Sequence, residues 1–237
     1  MKTGIIGAMN EEIDVYLKNL QDKKERKWNI FTFYEGKMHG KPVVIVKSGV
    51  GKVFSAMVCQ KLIDDYQVNN VIFTGVGGSL NNSLAIGDVV VSTDSCHHDF
   101  DAQPLGFKRG QISYTDFRFF KAEEKLVKLA LSAKIEGHKI IAGRILTGDQ
   151  FMTHKDKQEK KYLFDELHGD CIEMEGAAVA QVCTMNQVPH VIVRSVSDKA
   201  DGSAVADYDK FRFIVGENSF KIVDHMLKEM KWLTKHS

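Results

Sequence analysis

Apolar runs of strand length alternate along the chain with segments in which apolar residues recur at helical spacing. Short apolar runs bounded by Gly, Asn or Asp are typical of buried strands, whereas apolar residues three and four positions apart are typical of helices. The runs predict strands at 2–9, 31–35, 43–47, 70–74, 87–92, 140–146 and 190–196. The helical segments begin near 10 and 52, follow the stretch 171–175, and cover 121–134, 156–168 and 209–232.

Two details of this pattern refine the prediction. Asn10 stands where the first helix begins and is a residue type favoured as an N-cap. Residues 94–120 show neither period and are predicted to form a long irregular segment, and loops of that length are usually functional or mobile.

The alternation of nearly apolar strands with helices predicts an α/β fold. Strands of this kind are buried on both faces, so the expected architecture is a mixed or parallel sheet covered by helices on each side. We find no Pro/Ser-rich linker, no internal repeat and no low-complexity run in the 237 residues. One domain that spans 1–237 is therefore expected.

Composition excludes several classes of protein. Thirty-two basic residues against 31 acidic ones give no electrostatic reason to expect binding to nucleic acid or to an acidic membrane. The N-terminus does not resemble a signal peptide, and no apolar run approaches the roughly 20 residues that span a bilayer. The four cysteines have no CxxC or framework spacing and fit a reducing compartment. We expect a cytoplasmic protein.

The stretch Cys171–Ala178 contains two acids, Glu173 and Glu175, on either side of Met174 at a predicted junction of strand and helix. In a strand the two side chains would point to the same side, and in a helix to nearly opposite sides. Such junctions often hold a polar ligand in α/β proteins. They also suit surface acids, because the helix dipole favours negative charge at the N-terminus. From this stretch alone, both interpretations stay open.

Glycine clusters follow three predicted strands, at 4–7, 49–51 and 75–78. The second has Val53 where a P-loop requires Ser or Thr, and neither of the others has the spacing of a dinucleotide-binding loop. Glycines at strand ends allow a ligand to approach the backbone, so together they indicate one pocket at the carboxyl ends of the strands. A structural turn explains any single cluster better.

Two other kinds of site are disfavoured. Cys96, His97, His98 and Asp99 are adjacent in sequence, and adjacent residues do not easily converge on one tetrahedral ion. No second ligand group at suitable spacing accompanies them, so no metal is expected. The chain also lacks the G-x-S-x-G motif of serine hydrolases.

Acids at the ends of loops remain as candidates for chemistry, namely Glu12, Glu175 and Asp198. Asp198 ends an otherwise apolar strand, which is a strong position for a catalytic acid. The alternative is that Asp198 caps the helix that follows.

The combined motifs resemble the nucleoside phosphorylase/nucleosidase family. The matching blocks occur in the family's order and span most of the chain: GIIGAMNEE at 4–12, SGVGK at 48–52, TGVGGS at 74–79, GD at 87–88, HD at 98–99, TGDQFM at 147–152, EMEGAA at 173–178 and RSVSD at 194–198. The resemblance implies a three-layer αβα fold and a hydrolase without cofactor. Its expected reaction is cleavage by activated water of the N-glycosidic bond of 5'-methylthioadenosine, S-adenosylhomocysteine and 5'-deoxyadenosine, which releases adenine.

The resemblance also implies roles for three acids. Glu175 would hold the ribose hydroxyls and stabilise the oxocarbenium-like sugar. Asp198 would protonate N7 of adenine, and Glu12 would activate the attacking water.

Other residues are expected to bind the substrate on the same resemblance. Arg194 would support the ribose end, Phe151 would stack on the purine, and the Met152 backbone would read the purine edge. Val50, Phe107 and Tyr208 would form the apolar 5'-pocket, to which Ala102 and Leu105 of segment 97–113 would contribute across a homodimer. The remaining expected contacts are Met9, Val76, Gly77, Glu173, Met174 and Ser197.

The sequence departs from the family pattern near the expected water. Val76 stands where many nucleosidases have a serine that can help to hold the water, and Ser79 and Tyr208 replace the more usual Gly and Phe. Three alternatives are a phosphorylase, a nucleoside-binding protein without activity and a dinucleotide-dependent oxidoreductase. Carboxylates at positions 11 and 12 would repel phosphate, and the oxidoreductase would need the missing glycine fingerprint.

Overall fold

The structure, a computed structural model, describes residues 1–198 and 204–230, with backbone alone for 154 and 204–215. Its strands are β1 (Thr3–Gly7), β2 (Gln21–Trp28), β3 (Phe31–Met38), β4 (Lys41–Lys47), β5 (Asn70–Ser79), β6 (Val89–His97), β7 (Phe120–Lys121), β8 (Ile140–Thr147), β9 (Cys171–Glu173) and β10 (His190–Asp198). Its α-helices are α1 (Asn10–Asn19), α2 (Lys52–Tyr66), α3 (Glu124–Leu131), α4 (His154–Glu159), α5 (Tyr162–Asp165), α6 (Gly176–Met185) and α7 (Ala204–Glu229).

All ten strands belong to one mixed sheet. Its main order is β10-β6-β8-β9-β5-β1-β4-β3-β2, and β7 pairs with β6. Strand β10 also pairs in parallel with β5, so β10, β6, β8, β9 and β5 close into a ring. Strands β1, β4, β5 and β10 run parallel to one another, which brings their carboxyl ends to one edge.

Helices cover both faces of the sheet because each face presents its own apolar cluster. On one face, Val58 of α2 and Val179 of α6 pack with Phe73 of β5. On the other face, Tyr16 of α1 and Ile222 of α7 pack in a second cluster with strand residues. The predicted α/β fold with a mixed sheet between two helical layers is confirmed.

Strand β2 has no counterpart in the sequence prediction. Its sequence, QDKKERKW, is exposed at seven of eight positions and lacks the apolar alternation that predicts a half-buried strand. Antiparallel pairing with β3 from Lys24 to Trp28 keeps it extended. Main-chain pairing at the sheet edge, rather than burial, therefore defines this strand.

Other boundaries differ in ways that have local causes. Strands β5 and β6 extend to Ser79 and His97, well beyond the apolar runs that predicted them. Strand β5 continues to pair with β10 and β9, and β6 continues to pair with β8. The helix predicted at 156–168 is two short helices, α4 and α5. The N-cap of α1 is Met9 rather than Asn10, because the Glu12 side chain reaches back to the Met9 N–H.

The long irregular segment is confirmed for residues 98–119, which hold one 3₁₀ helix at Gln103–Leu105. Among the described residues, no helix has the length and apolar character needed to cross a membrane.

Candidate active site

A cleft lies where the carboxyl ends of β1, β5, β9 and β10 meet the N-termini of α1 and α6. Its empty space of about 610 Å³ includes volume that is open to solvent. Twelve of the predicted site residues line the cleft: Met9, Glu12, Val50, Val76, Gly77, Phe151, Met152, Glu173, Met174, Glu175, Ser197 and Asp198. Ala8, Gly78, Gln150 and Ile172 also line it and were missed.

Backbone amides from two strand ends hold the Glu12 carboxylate. Its Oε2 accepts hydrogen bonds from Ala8 N at 2.6 Å and Met9 N at 3.0 Å, and its Oε1 accepts one from Val76 N at 3.0 Å. Glycine is required at position 75, since a Cβ there would lie 2.3 Å from Glu12 Oε1. Val76 thus contributes its amide to the acid, although its side chain has no hydroxyl.

Burial sets the protonation behaviour of Glu12. The side chain is buried, and this desolvation raises its pKa, while the Arg194 charge and the three backbone amides oppose the rise. A carboxylate whose pKa moves toward neutrality becomes a stronger base. The geometry therefore suits Glu12 to accept a proton from a group bound in the cleft.

Glu173 and Glu175 have different surroundings, and each fits one of the two interpretations that the sequence left open. Glu173 ends β9 and binds the start of α6, where its Oε2 accepts hydrogen bonds from Glu175 N at 3.2 Å and Gly176 N at 2.7 Å. Thr147 Oγ1 donates a further hydrogen bond to Glu173 Oε1. Glu175 directs its carboxylate elsewhere, and its Oε1 accepts a hydrogen bond from Gly51 N at 2.8 Å. Glu173 therefore stabilises the helix N-terminus, and Glu175 is the acid available to a ligand.

Arg194 supplies the positive charge between these acids. Its side chain is 1% exposed, and its Nη2 lies 2.6 Å from Glu173 Oε2 and 3.9 Å from Glu175 Oε2. The guanidinium carbon lies 4.0 Å from the centroid of the Phe73 ring. Burial alone would lower the pKa of Arg194, but Glu173, Glu12 and Glu175 outweigh it, so the pKa is raised. Arg194 lies behind the carboxylates rather than among the residues that line the cleft.

The pKa of the Glu175 carboxyl is strongly raised. Burial raises its pKa from its usual 4.5 to about 8, and repulsion from Glu173 adds to the shift. Arg194 and the Gly51 amide oppose it. Burial therefore favours the protonated form of Glu175 relative to a glutamate in solvent.

Asp198 lies at the end of β10 and is buried with its neighbour Ser197. Ser197 Oγ lies within hydrogen-bond distance of Asp198 Oδ2, at 2.9 Å, and of the Gly77 carbonyl oxygen, at 3.3 Å. This arrangement ties the acid to the β5 end of the cleft. Residues 199–203, which bear on the helix-cap alternative, lie outside the described residues.

Three further predicted residues, Ala102, Leu105 and Phe107, are described by the structure and do not line this cleft. Phe107 packs edge-on against Tyr114, with 5.1 Å between ring centroids. Ala102 and Leu105 flank the 3₁₀ helix, where Leu105 is 67% exposed. The Tyr208 side chain lies outside the described part of the chain. For these four residues, a role at the site stays a prediction.

The two histidines of the Cys96–Asp99 run turn to different partners. His97 Nε2 lies 3.0 Å from Gln181 Oε1, and His98 Nδ1 lies 3.4 Å from the Tyr162 hydroxyl. Among the side chains that the structure describes, no three His, Cys, Asp or Glu form a group that could hold a metal ion.

Comparison with known proteins places the chain in a family. The profile of the phosphorylase superfamily matches residues 2–228. The chain is 36% identical over 233 residues to a 5'-methylthioadenosine/S-adenosylhomocysteine nucleosidase of Actinobacillus succinogenes, with 98% of this chain and 100% of that protein covered. The chain therefore belongs to the phosphorylase superfamily, and the predicted resemblance is confirmed.

Solved structures agree with this assignment. The nucleosidase of the same description from Colwellia psychrerythraea, in complex with adenine, matches with a TM-score of 0.91 and 36% identity over 96% of this chain and 94% of that one. A futalosine hydrolase of Helicobacter pylori matches with a TM-score of 0.90 and 33% identity over 97% and 98%.

The raised pKa of Glu175 predicts a pH-dependent stability difference in the variant Glu175→Gln. A buried acid with a raised pKa contributes stability below its unfolded pKa, and the contribution is lost as pH rises through the folded value of about 8. Each pKa unit corresponds to about 1.4 kcal/mol. Relative to wild type, Tm of the variant should rise between pH 5 and pH 9 by several degrees, roughly 2–4 °C per kcal/mol.

The matched control is Glu124→Gln in α3. Glu124 is exposed, and its pKa is lowered by the hydrogen bond from Lys128, so this variant should show no gain in Tm at high pH. An equal Tm difference for Glu175→Gln at both pH values would contradict the raised pKa.

Proposed function

We propose that the protein is a single-domain N-glycosyl hydrolase that cleaves 5'-methylthioadenosine and S-adenosylhomocysteine to adenine and the thioribose product, with 5'-deoxyadenosine as a further substrate. The observation that carries the proposal is the convergence of Glu12, Glu175 and Asp198 on one cleft. The nucleosidase relatives support the choice of substrate class.

Each acid has a position that suits one step. Glu12, held by three backbone amides, takes a proton from the attacking water. Asp198 protonates N7 of the purine, so that adenine leaves as a neutral base. Glu175 accepts hydrogen bonds from the ribose hydroxyls, and its negative charge stabilises the oxocarbenium-like sugar.

Apolar groups complete the substrate site that we propose. Met9 and Met174 pack against the sugar, Phe151 stacks on the purine, and the Met152 backbone reads the purine edge. Val50, at the open side of the cleft and 51% exposed, contacts the 5'-substituent. Arg194 acts through Glu173 and Glu175, with which it forms the buried ion-pair group.

Water rather than phosphate is the nucleophile that the cleft favours. The residues that line it include Glu12, Glu173, Glu175 and Asp198, and none of the described lining residues is Lys, Arg or His. Phosphate sites use basic side chains or free backbone N–H groups. Here, the amides of Ala8, Met9 and Val76 already bind the Glu12 carboxylate.

The reaction is tested by incubation of the purified protein with 5'-methylthioadenosine in phosphate-free buffer and in buffer with phosphate. We expect adenine and methylthioribose at the same rate in both, identified by chromatography with mass detection. A sugar 1-phosphate that forms only with phosphate would make the protein a phosphorylase. Tight binding with no product in either buffer would indicate a nucleoside-binding protein.

Asp198→Asn tests the acid that protonates the purine. The amide cannot donate a proton in this way, so we expect kcat to fall by about 10²–10⁴-fold, the usual range for a general acid. Asp22→Asn, at a site where the side chain is 68% exposed, serves as the matched control. Turnover at the wild-type rate by folded Asp198→Asn would rule out this role.

We also propose that the protein is a cytoplasmic homodimer in which segment 97–113 completes the pocket of the partner. Apolar side chains of α2 next to the cleft, Val53, Phe54 and Met57, are 70%, 41% and 40% exposed. Leu105 adds a further exposed apolar side chain from the segment itself. The free thiol state of all four cysteines suits a reducing compartment.

Leu105→Asp tests the dimer. A charge in an apolar interface should dissociate the protein and lower kcat/KM by about tenfold, which corresponds to loss of one well-packed contact. Light scattering after gel filtration measures the mass. Ile30→Asp, at another exposed apolar position in the β2–β3 turn, should leave mass and activity unchanged. A wild-type protein that is monomeric and fully active would contradict the proposal.

A further inference from the structure

The Glu175 carboxylate depends on one backbone amide. Gly51 N donates to its Oε1 at 2.8 Å, and the nearest Arg194 nitrogen is 3.9 Å from its Oε2, beyond hydrogen-bond distance. Within the part of the chain that the structure describes, Gly51 N is the one hydrogen-bond donor to this carboxylate. The position of the acid therefore depends on what holds Gly51.

The position of Gly51 depends on contacts made by neighbouring residues. It is the N-cap of α2 with φ of +102°, a conformation that suits glycine alone, and it has no side chain to anchor it. The next residue, Lys52, provides the anchor. Its backbone N–H donates to Asp149 Oδ1 at 3.2 Å, so the two consecutive amides at the helix start point to two acids from different loops.

Lys52, Asp99 and Asp149 form a closed ring of charged groups. Its Nζ lies 2.8 Å from both carboxylate oxygens of Asp99 and 3.2 Å from Asp149 Oδ2. Asp149 N donates to Asp99 Oδ2 at 3.0 Å, which links the two acids directly. The ring thus joins the start of α2, the start of segment 97–113 and the loop after β8.

The charges in the ring depend on one another. The hydrogen bond to Lys52 lowers the pKa of Asp99 against the effect of its burial, and the two acids raise the pKa of Lys52. Both carboxylates lie within 3.2 Å of the Lys52 ammonium, so its loss would leave two like charges close together, and they would repel each other. Since Asp149 also binds the Lys52 amide, their separation would move the start of α2.

We propose that Lys52 is a positioning residue which, through Asp99 and Asp149, holds the Gly51 N–H against the Glu175 carboxylate. The catalytic consequence rests on the proposed function, in which ionised Glu175 stabilises the sugar cation. The groups that face Glu175 are Glu173 from β9, Arg194 from β10, Glu12 from α1 and the Gly51 amide from α2. Of these groups, the Gly51 amide is the one whose position depends on Lys52.

The sign of the change in the pKa of Glu175 distinguishes a positioning role of Lys52 from a direct effect of its charge. The Gly51 hydrogen bond favours the ionised form of Glu175, so displacement of the amide raises the pKa of that carboxyl. In Lys52→Met, loss of a positive charge would raise the same pKa through space. In Asp99→Asn, loss of a negative charge would lower it through space, whereas displacement of the amide would raise it. Positioning therefore predicts the same sign in both variants, and charge alone predicts opposite signs.

The experiment is a carbon-13 NMR titration of protein labelled at the glutamate carboxyl carbons, with Glu175→Gln to assign the resonance. We expect the pKa of Glu175 to rise by about one unit in Lys52→Met and in Asp99→Asn. Lys52→Arg, which keeps the charge and the ion pairs, should shift it less. Thermal melts establish that each variant is folded, and Asp99→Asn is the milder change should Lys52→Met fail to fold.

Lys61→Met is the matched control, because Lys61 is on the same helix, pairs with Asp65 at 2.7 Å and has a side chain that is 23% exposed against 22% for Lys52. It should leave the titration unchanged. In parallel, kcat/KM of Lys52→Met should fall by about tenfold at neutral pH, with the acidic limb of its pH profile moved upward.

Opposite shifts in Lys52→Met and Asp99→Asn, or no shift in either, would overturn the positioning role. Because the titration needs no turnover, a wild-type protein that cleaves no nucleoside would refute the proposed function and leave this test intact. Active wild-type protein with an unshifted Glu175 in both variants would refute the positioning role alone.

Discussion

The buried guanidinium of Arg194 is the group on which the geometry of the cleft depends. It is almost fully buried, and three carboxylates, those of Glu12, Glu173 and Glu175, raise its pKa. Removal of one partner from a buried ion pair costs several kcal/mol, because the charge that is left has no compensation. Strand β10 supplies Arg194, β9 supplies Glu173, and the start of α6 supplies Glu175, so this charge joins three elements that are distant in sequence.

Backbone amides orient two of the carboxylates in the cleft. Glu12 is held by amides at the ends of β1 and β5, and Glu175 by the amide of Gly51 at the start of α2. A backbone amide has no rotamer freedom of its own. The strand end or helix start that carries the amide therefore fixes the position of the carboxylate that it binds. Strands β1 and β5 and the start of α2 thereby fix the positions of Glu12 and Glu175.

The sequence was most informative where burial produces a periodic pattern of apolar residues. It was least informative where the partners of a residue are distant in sequence. Apolar runs located seven of the ten strands, namely β1, β3, β4, β5, β6, β8 and β10, because these strands are buried. Strand β2 was missed because its charged residues show no such pattern. The acids at the strand ends were found because an acid after an apolar run is unusual. The separate tasks of Glu173 and Glu175 could not be derived, since they depend on Arg194, whose position is set by the pairing of β10 with β5. Ala8 and Gln150 were missed because neither residue type carries a chemical signal of its own.

Strand β2 has a consequence for how the protein behaves at high concentration. It ends the main path of the sheet, and its outer edge would offer unpaired N–H and C=O groups to any second sheet that approached it. On this strand, four basic residues (Lys23, Lys24, Arg26 and Lys27) outnumber two acids (Asp22 and Glu25), so its net charge is positive. Two such edges repel each other, so the sheet is protected from growth by strand addition between molecules. The same charges that remove the apolar pattern from this strand thus disfavour association of molecules through this edge.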